Sequence, residues 1–561
     1  MTTTHPPHMP HYPKEIRWDS EITLRPLHTM LSDTRARYGG LAAFDFLGAR
    51  STWEDISRMA DHIACGLQKM GIQKGDRVGI LLPNCPLYLA AYYGIARTGA
   101  IIVNFNPLYA ETELKHRMND SGVRAVFTTN LKLIYTKLNK IAPDTCLEKI
   151  IVASFADMLP FPKSVLFRMF KVHDYTRIHT GAGHIPLLDF LQNDGVVQDV
   201  EIDPINDVAL LQYTGGTTGT PKGAMLTHAN ITANAQQCAM WFTDCKNGNE
   251  RMLGVIPFFH VFSMTAVMNL SVLKGLEIIA LPRFNINETL SLIHRRRPTL
   301  FPAVPAIFNA INHHPDLKKY DLTSLRHCIS GGAPLPIEVK KNFEKNTGCI
   351  LVEGYGLTET SPVTHVNPLH GVNKPGSIGL PLPQTLTEIA DPDSGTLLPQ
   401  GTKGEICIRG PQVMKGYWNN PGETNKVLQD GRLKTGDIGY IDPDGYTYIV
   451  DRIKDMIITN GYNVYPRTVE EAIYEHPDVQ ECIVAGIPDE ERGERVKAWI
   501  VLKDGFEMSA FTMKAFLQDK LSPMEMPRDI EFRTEPLPRT FIGKLSRKSV
   551  VDEEKKKVKG V

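Results

Sequence analysis

The chain has 561 residues, of which 62 are Lys or Arg and 62 are Asp or Glu. Its length exceeds the size at which a single hydrophobic core stops growing, so we expect more than one domain. The balanced charge offers no basic surface for a polyanion, and we therefore predict no nucleic-acid partner. Apolar residues make up 42% and charged residues 22%, which is typical of a folded protein.

The N-terminal segment MTTTHPPHMP is polar and lacks the apolar centre of a signal peptide. The nine cysteines are scattered without metal-ligand spacing, as is typical of reduced thiols. The longest apolar stretch, residues 253–281, is interrupted by Pro257, His260 and Lys274, so it is too short for a membrane span. We therefore expect a cytoplasmic protein without a transmembrane helix.

From Gly71 onward, short apolar runs alternate with helical patterns. DRVGILLPN predicts a buried strand, PLYLAAYYGIARTGA predicts a helix that ends at Gly99, and AIIVNFNP predicts the next strand. This alternation is typical of βα units around a parallel sheet, and it recurs as far as LRHCISGG. The sequence thus predicts an α/β fold for a large N-terminal body.

The architecture changes near GEICIRG, where the apolar runs become closely spaced and turns such as Pro443-Asp444-Gly445 appear. This pattern predicts a β-rich subdomain. About 110 residues follow Asp451, which is enough for a small separate domain. We predict a large domain over residues 1–450 and a small, mobile α+β domain over residues 451–561.

A glycine- and threonine-rich run, YTGGTTGTPKG at residues 213–223, follows an apolar strand and precedes a helical pattern near Thr227. Its backbone N–H groups and hydroxyls can converge on phosphate oxygens while Lys222 neutralises charge. It is not a Walker A loop, because Gly223 stands where that motif needs Ser or Thr. The run predicts a phosphate-binding loop; the alternative is a flexible turn with a solvent-facing lysine.

Five shorter motifs follow in order: SGGAP at 330–334, GYGLTE at 354–359, KTGD at 434–437, DRIKD at 451–455 and GKLSR at 543–547. Together they resemble the adenylate-forming superfamily of acyl-CoA synthetases, peptide-synthetase adenylation domains and firefly luciferases, from about Trp53 to Lys548. The segments NFNPLYAETELKHRMNDSG, LQYTGGTTGTPKGAMLTH and DRIKDMIITNGYNVYPRTVE look most like bacterial long-chain fatty acid-CoA ligases. The resemblance implies conversion of a fatty acid, ATP and coenzyme A to acyl-CoA, AMP and diphosphate through an acyl-adenylate, with Mg²⁺.

The resemblance also implies an ATP site built from several motifs. The residues that would hold the β- and γ-phosphates are Thr214, Gly215, Gly216, Thr217, Thr218, Gly219 and Lys222. The adenine would lie against Gly331, Gly332, Ala333, Pro334, Gly354, Tyr355 and Gly356, with Tyr355 stacked on its face. The remaining nucleotide contacts would come from Asp437 and Arg452 at the ribose and from Lys454, Gly461 and Tyr462.

Four residues are implied in the chemistry itself: Lys544, Thr358 at the α-phosphate, Glu359 as a Mg²⁺ ligand together with Thr217, and His260 near the acyl carboxylate. Structural alternatives stay open for these side chains. Glu359 fits a helix first turn, and His260 fits a hydrogen-bonded group at a strand end. Tyr355 equally fits a core aromatic residue, and Asp437 an Asx turn.

The small domain has to present different faces in the two steps of such a reaction. Lys454 lies between Arg452 and that domain, so we predict that Lys454 is the hinge about which the domain turns.

The sequence leaves more than one acid open. Some long-chain relatives carry a Trp gate where this chain has Met264, so a medium-chain or aryl acid-CoA ligase stays open. So does an acyl-AMP ligase that loads a carrier protein. A luciferase-like oxygenase and a binding protein without turnover are weaker alternatives. Residues 158–171 place Val165, Leu166, Met169 and Phe170 on one side with basic residues interspersed, which predicts either peripheral membrane contact or docking on the body. A homodimer is also left open.

Lys544 gives a direct test of the implied chemistry. Negative charge gathers where the carboxylate oxygen meets the α-phosphate, and a lysine there stabilises mainly the transition state. We expect Lys544→Ala to slow acyl-adenylate formation by about 10² to 10³, while thioester formation from synthetic acyl-AMP is nearly unchanged. Single-turnover measurement of the two steps checks this. Near-normal adenylation would contradict the assignment, and equal loss in both steps would indicate misfolding.

Overall fold

The computed structural model describes residues 8–179, 181, 183–214, 221–460, 462–489, 491–540 and 545–559. The strands are β1 (Ala42–Phe46), β2 (Ala49–Thr52), β3 (Arg77–Leu81), β4 (Ile101–Asn104), β5 (Ala125–Thr129), β6 (Lys149–Ala153), β7 (His184–Pro186), β8 (Val208–Tyr213), β9 (Gly223–Thr227), β10 (Arg251–Gly254), β11 (Glu277–Ala280), β12 (Leu300–Ala303), β13 (His327–Ser330), β14 (Ile350–Gly356), β15 (Val363–Val366), β16 (Leu380–Pro381), β17 (Leu386–Ala390), β18 (Gly404–Arg409), β19 (Gly416–Tyr417), β20 (Leu428–Gln429), β21 (Arg432–Ile441), β22 (Thr447–Arg452), β23 (Ile457–Thr459), β24 (Tyr462–Val464), β25 (Val479–Asp489), β26 (Gly493–Leu502) and β27 (Asp529–Arg533).

The helices are α1 (His28–Tyr38), α2 (Trp53–Lys69), α3 (Pro86–Arg97), α4 (Glu111–Ser121), α5 (Lys132–Ile141), α6 (Lys163–Phe170), α7 (Leu187–Phe190), α8 (His228–Trp241), α9 (Val261–Ser263), α10 (Leu270–Lys274), α11 (Ile286–Arg296), α12 (Pro305–Asn312), α13 (Ile337–Thr347), α14 (Pro421–Val427), α15 (Pro466–Tyr474), α16 (Ala510–Leu517) and α17 (Arg547–Lys559). A π-helix, Met264–Asn269, joins α9 to α10. Within the described ranges, no helix combines the length and the apolar character needed to cross a bilayer.

Two mostly parallel sheets form the large body. One has the strand order β16-β15-β14-β13-β12-β10-β11-β1-β2, and the other has the order β19-β9-β8-β4-β3-β5-β6-β7. The inner strands of each pair in parallel, whereas β2, β15 and β16 in the first sheet and β9 and β19 in the second pair antiparallel. Strands such as β4 and β11 are buried at every residue, because helices cover both faces of these sheets. The α/β fold predicted from the sequence is confirmed.

Helices α3 and α8 are interior helices. Every residue of α3 from Pro86 to Ala96 is buried, and so are most residues of α8, which means that neither helix has a solvent face. Both contribute to an apolar cluster that also contains Phe44 of the first sheet and Ile80 of the second. The two sheets therefore share one continuous core.

The β-rich subdomain is also present, as strands β17, β18, β20, β21 and β22 pair antiparallel. After it, strands β23 to β27 form a separate sheet that packs with α15 and α16 around its own apolar cluster, including Ile473, Val484 and Leu517. A separate core is what the predicted small α+β domain requires.

Candidate active site

A large cleft is lined by residues of both sheets of the body, of the β-rich subdomain and of the small domain. Its volume is about 2580 Å³. Motifs separated by up to about 240 positions in the sequence converge on it. The predicted site residues that line the cleft are Thr214, Lys222, His260, Gly331, Gly332, Ala333, Pro334, Gly354, Tyr355, Gly356, Thr358, Glu359, Asp437, Arg452 and Lys454.

The remaining predicted residues fall into two groups. Tyr462 lies on β24 with 59% of its surface exposed, and it is not among the residues that line the cleft. The others lie outside the described residues, and they are Gly215, Gly216, Thr217, Thr218, Gly219, Gly461 and Lys544.

The predicted phosphate loop connects two antiparallel strands, β8 and β9. At its base the Thr214 N–H donates to the Lys222 carbonyl oxygen over 2.9 Å. The helical pattern seen near Thr227 is α8, which begins only after β9 with Thr227 as its N-cap. The loop therefore belongs to a hairpin, and the N-terminus of α8 is separated from it by a whole strand.

Lys222 is engaged by an acidic residue that the motif does not contain. Its ammonium group forms an ion pair with the carboxylate of Glu423, in the first turn of α14, and lies 5.1 Å from the centre of the Tyr417 ring. Hydrogen bonds from Lys222, and then from Lys426, lower the pKa of Glu423 to about 2. In this arrangement the predicted phosphate-binding cation is already neutralised by a protein carboxylate.

Glu359 lies in a 3-10 helix, Thr358–Thr360, directly after β14. Its Oε1 atom accepts a hydrogen bond from the Tyr417 hydroxyl over 2.7 Å, and its backbone oxygen accepts from the Met414 N–H over 2.8 Å. Burial, and then the neighbouring Glu359 carboxylate, raises the pKa of Tyr417. The Glu359 carboxylate is thus fixed by one donor at the cleft wall, and it is the kind of oxygen ligand that Mg²⁺ prefers.

Asp437 is the centre of a second polar cluster. Its side chain is only 2% exposed, and it accepts from Arg452 Nε over 2.9 Å and from the Tyr355 hydroxyl. The antiparallel register of β21 and β22 places Asp437 opposite Arg452. The Asp437 carboxylate raises the pKa of Arg452, and burial raises the pKa of Tyr355. The acceptor and donor predicted for a ribose therefore lie side by side.

Close packing explains two glycines of the cleft. A Cβ atom at Gly331 would lie 3.0 Å from the Phe262 ring, and one at Gly356 would lie 1.9 Å from the Pro362 carbonyl oxygen. Gly332 has a φ of 81°, in the left-handed region that favours glycine. Because these glycines have no side chain, the backbone at the ends of β13 and β14 lines the cleft directly.

His260 is both a cleft residue and an N-cap. Its Nδ1 atom accepts from the Phe262 N–H over 3.3 Å at the start of α9. The structural role that the sequence left open for His260 is therefore present, and it fixes the ring at the cleft wall. Met264 is fully buried at the start of the π-helix that follows. Such helices are rare and are frequent at functional sites.

One arm of the cleft is apolar. It runs along α8, the π-helix and α10, which pack against one another. The apolar side chains that line it are Cys238, Trp241, Phe242, Phe262, Ala266, Leu270, Val304, Val363 and Val366. In the sequence these residues look like core residues, because both kinds are apolar.

Lys454 lies in a 3-10 helix, Ile453–Asp455, that leads from β22 into the small domain. Burial, and then the Arg452 cation, lowers the pKa of Lys454. The neighbouring Asp455 is bound by Arg547 over 3.4 Å, and Arg547 also contacts Glu470 over 2.6 Å. The segment predicted to be a hinge is thus held by an ion-pair network from the start of α17.

Three acidic or phenolic residues of the site were missed by sequence analysis: Tyr417, Glu423 and Glu353. Burial raises the pKa of Glu353 to about 7, and its carboxylate accepts from the Leu335 N–H over 3.3 Å at the cleft wall. Only Glu353 had a sequence signal, because it directly precedes the GYGLTE motif. Tyr417 and Glu423 reach the site through the pairing of β19 with β9, which no local pattern encodes.

Comparison with known proteins agrees with this geometry. The AMP-binding enzyme family matches residues 31–418, and the AMP-binding enzyme C-terminal domain matches residues 468–544. A long-chain-fatty-acid–CoA ligase of Bacillus subtilis (strain 168) is 47% identical over 98% of each chain. A feruloyl-CoA synthase of an Amycolatopsis species is 36% identical over 91% of this chain and 94% of its own.

Among solved structures, an anthranilate CoA ligase in complex with anthranoyl-AMP superimposes with a TM-score of 0.84. It is 25% identical, and the match covers 97% of this chain and 100% of that one. The resemblance to adenylate-forming enzymes that the motifs suggested is confirmed. The chain belongs to the family of AMP-binding enzymes.

Proposed function

We propose that this protein is an ATP-dependent fatty acid-CoA ligase that prefers long-chain acids. The observation that carries the proposal is the lining of the cleft, in which two polar clusters suited to a nucleotide share one space with a set of apolar side chains. His260 precedes the helical segment that lines this arm. The name of the B. subtilis relative supports the choice of acid.

In the first step, the fatty carboxylate attacks the α-phosphorus of ATP, and diphosphate leaves to give an acyl-adenylate. Lys222 and the loop before it would bind the leaving phosphates, and Thr358 would contact the α-phosphate. Asp437 and Arg452 would hold the ribose hydroxyls as acceptor and donor. Fixed donors and charges of this kind stabilise developing charge without reorganisation at the moment of reaction. Mg²⁺ would be held by Glu359 and the phosphates and would neutralise their charge.

In the second step, the sulfur of coenzyme A attacks the acyl carbonyl carbon, and AMP leaves. We propose that Lys544 serves the first step, and that rotation of the small domain at Lys454 exchanges it for a surface that admits coenzyme A. The separate core of the small domain supports this, because a domain with its own core can turn as a unit. Breaking the contacts of Arg547 with Asp455 and Glu470 would be part of the cost of the motion.

An aryl acid-CoA ligase is the second candidate. It is favoured by the feruloyl-CoA synthase among the relatives and by the anthranilate CoA ligase among the solved structures. Its distinguishing feature would be an arm that ends after one ring. The apolar residues that line the cleft include Trp241 and Phe242 as well as Phe262, and this larger apolar lining favours an extended chain.

We further propose that α6 contacts the membrane surface, where poorly soluble fatty acids are found. Phe167 anchors this helix to the body, since its ring lies 5.3 Å from that of Phe155. Apolar side chains on and just before α6 are nevertheless exposed: Phe161, which precedes the helix, is 84% exposed, Met169 63% and Phe170 74%. Exposed apolar groups in such a row are typical of interfacial contacts.

Chain-length dependence tests the proposed acid. We expect kcat/KM to rise from acetate to acids of about twelve carbons or more, since each buried CH₂ contributes about 0.8 kcal/mol. Ala266→Phe should narrow the arm and lower kcat/KM for long acids at least tenfold, while short acids serve as the internal control. AMP and CoA-thioester formation are measured together. An optimum at acetate or benzoate, or AMP without thioester, would contradict the proposal.

The ion pair of Lys222 with Glu423 predicts competition with ATP. Glu423→Gln should lower the KM for ATP about two- to fivefold, because the ATP phosphates no longer compete with the Glu423 carboxylate for the Lys222 ammonium group. The matched control is Glu288→Gln. Glu288 lies three residues after an Asn N-cap, and its N–H donates to the Asn285 side chain. Glu423 has the same position relative to Asn420.

Initial rates at varied ATP and saturating acid would measure this effect. An unchanged KM in Glu423→Gln would mean that ATP and Glu423 do not compete. A raised KM would show instead that Glu423 positions Lys222 for phosphate binding.

Membrane contact is tested by co-sedimentation with lipid vesicles. Arg168 pairs with Asp157, and Lys163 donates to the Leu47 carbonyl oxygen, so binding should depend on the apolar face more than on lipid charge. We expect Phe170→Asp to lower binding several-fold on neutral and anionic vesicles alike. Phe511→Asp is the control, because Phe511 is 83% exposed on a different domain. Equal binding of both variants and the unaltered protein would refute the contact.

A further inference from the structure

Three side chains with metal-binding atoms meet on the body, outside the residues that line the cleft. Asp244 follows α8, His327 is the first residue of β13, and His370 follows β15. The ligand atoms of all three lie within 4.8 Å of one another. The three segments are distant in sequence, and the spacing of these residues gives no motif, so only the fold brings them together.

The distances fit a transition metal. His327 Nε2 lies 2.9 Å from Asp244 Oδ2, and His370 Nε2 lies 3.3 Å from the same oxygen. Ligand atoms about 2.0–2.1 Å from a tetrahedral zinc ion lie about 3.3 Å from one another. The imidazole rings are nearly perpendicular, at 88°, with centres 5.4 Å apart. Small side-chain adjustments would therefore place all three atoms on one ion.

The basic residue next to His327 in the sequence does not pair with Asp244, which contacts the two histidines instead. Arg326, the nearest basic residue in sequence to His327, is paired with Glu250 over 2.6 Å. His327 is 3% exposed, so its position is fixed by the core, whereas the side chains of Asp244 and His370 are 40% and 46% exposed. One buried ligand and two accessible ones give an ion both a rigid anchor and an entry path.

We propose that Asp244, His327 and His370 form a binding site for a divalent transition-metal ion, with zinc as the best fit, and with water completing the coordination. Two imidazoles and one carboxylate are a common ligand set for zinc. The ion would tie the segment after α8 and the segment after β15 to the first residue of β13.

The place of the site suggests a structural effect. The strand β13 runs from His327 to Ser330, and Gly331 of the cleft follows it, so about 13 Å of backbone separates His327 from Gly331. The Phe242 ring, whose centre is 6.3 Å from that of His327, also lines the apolar arm. A bound ion would stiffen the wall behind that arm.

The test is zinc binding by the full-length protein after treatment with a chelator. Equilibrium dialysis against micromolar Zn²⁺, with metal analysis per chain, is compared among the unaltered protein, His370→Ala, Asp244→Asn and the control His313→Ala. His313 is an exposed histidine at the end of α12, outside the cluster. Thermal melting with and without Zn²⁺ gives a readout that is independent of catalysis.

We expect one zinc ion per chain, with at least tenfold weaker binding in His370→Ala and Asp244→Asn and unchanged binding in His313→Ala. Zinc should raise the melting temperature by a few degrees in the unaltered protein and in His313→Ala. It should not raise it in His370→Ala or Asp244→Asn. Binding only at millimolar zinc would overturn the proposal. So would equal binding in all four proteins, or an equal loss in His313→Ala, which would indicate scattered surface histidines.

Discussion

The buried carboxylate of Asp437 joins three parts of the protein. It comes from the β-rich subdomain, it accepts from Tyr355 at the end of the first sheet, and it accepts from Arg452 immediately before the small domain. A buried carboxylate without partners would cost several kcal/mol, so the Asp437 carboxylate needs its two donors. Because the carboxylate has to be paired, the β-rich subdomain, the end of the first sheet and the start of the small domain meet at Asp437, and the cleft lies at this junction.

Two further acidic residues, Glu359 and Glu423, hold a second part of the site together. Glu359 is held by the Tyr417 hydroxyl, and Glu423 is held by Lys222, whose ammonium also lies over the Tyr417 ring. Tyr417 therefore connects the proposed metal ligand to the proposed phosphate-binding lysine. Without nucleotide, Glu359, Glu423 and Lys222 each have a protein partner, so a charged substrate has to replace existing contacts. This arrangement keeps a polar cleft stable when it is empty.

Much of the fold was predictable from the sequence. The βα alternation gave the strands near Arg77, Ile101 and His327, because strands that are buried on both faces appear as continuous apolar runs. Gly99 ended the predicted helix, and its φ of 72° shows why a glycine stands there. The antiparallel strand β9 was missed, since GAMLT is short and merges with the helical pattern of α8.

The sequence by itself determined the family and the α/β class, and it predicted many residues that line the cleft, because glycines, hydroxyl residues and charged residues stand together in short motifs. Only the tertiary structure decided that Glu423 neutralises Lys222, that His260 caps α9, and that one arm of the cleft is apolar. The physical reason is that these features depend on which distant segments pack together. A buried apolar side chain or a surface acid has the same local pattern whether it lines a cleft or fills a core.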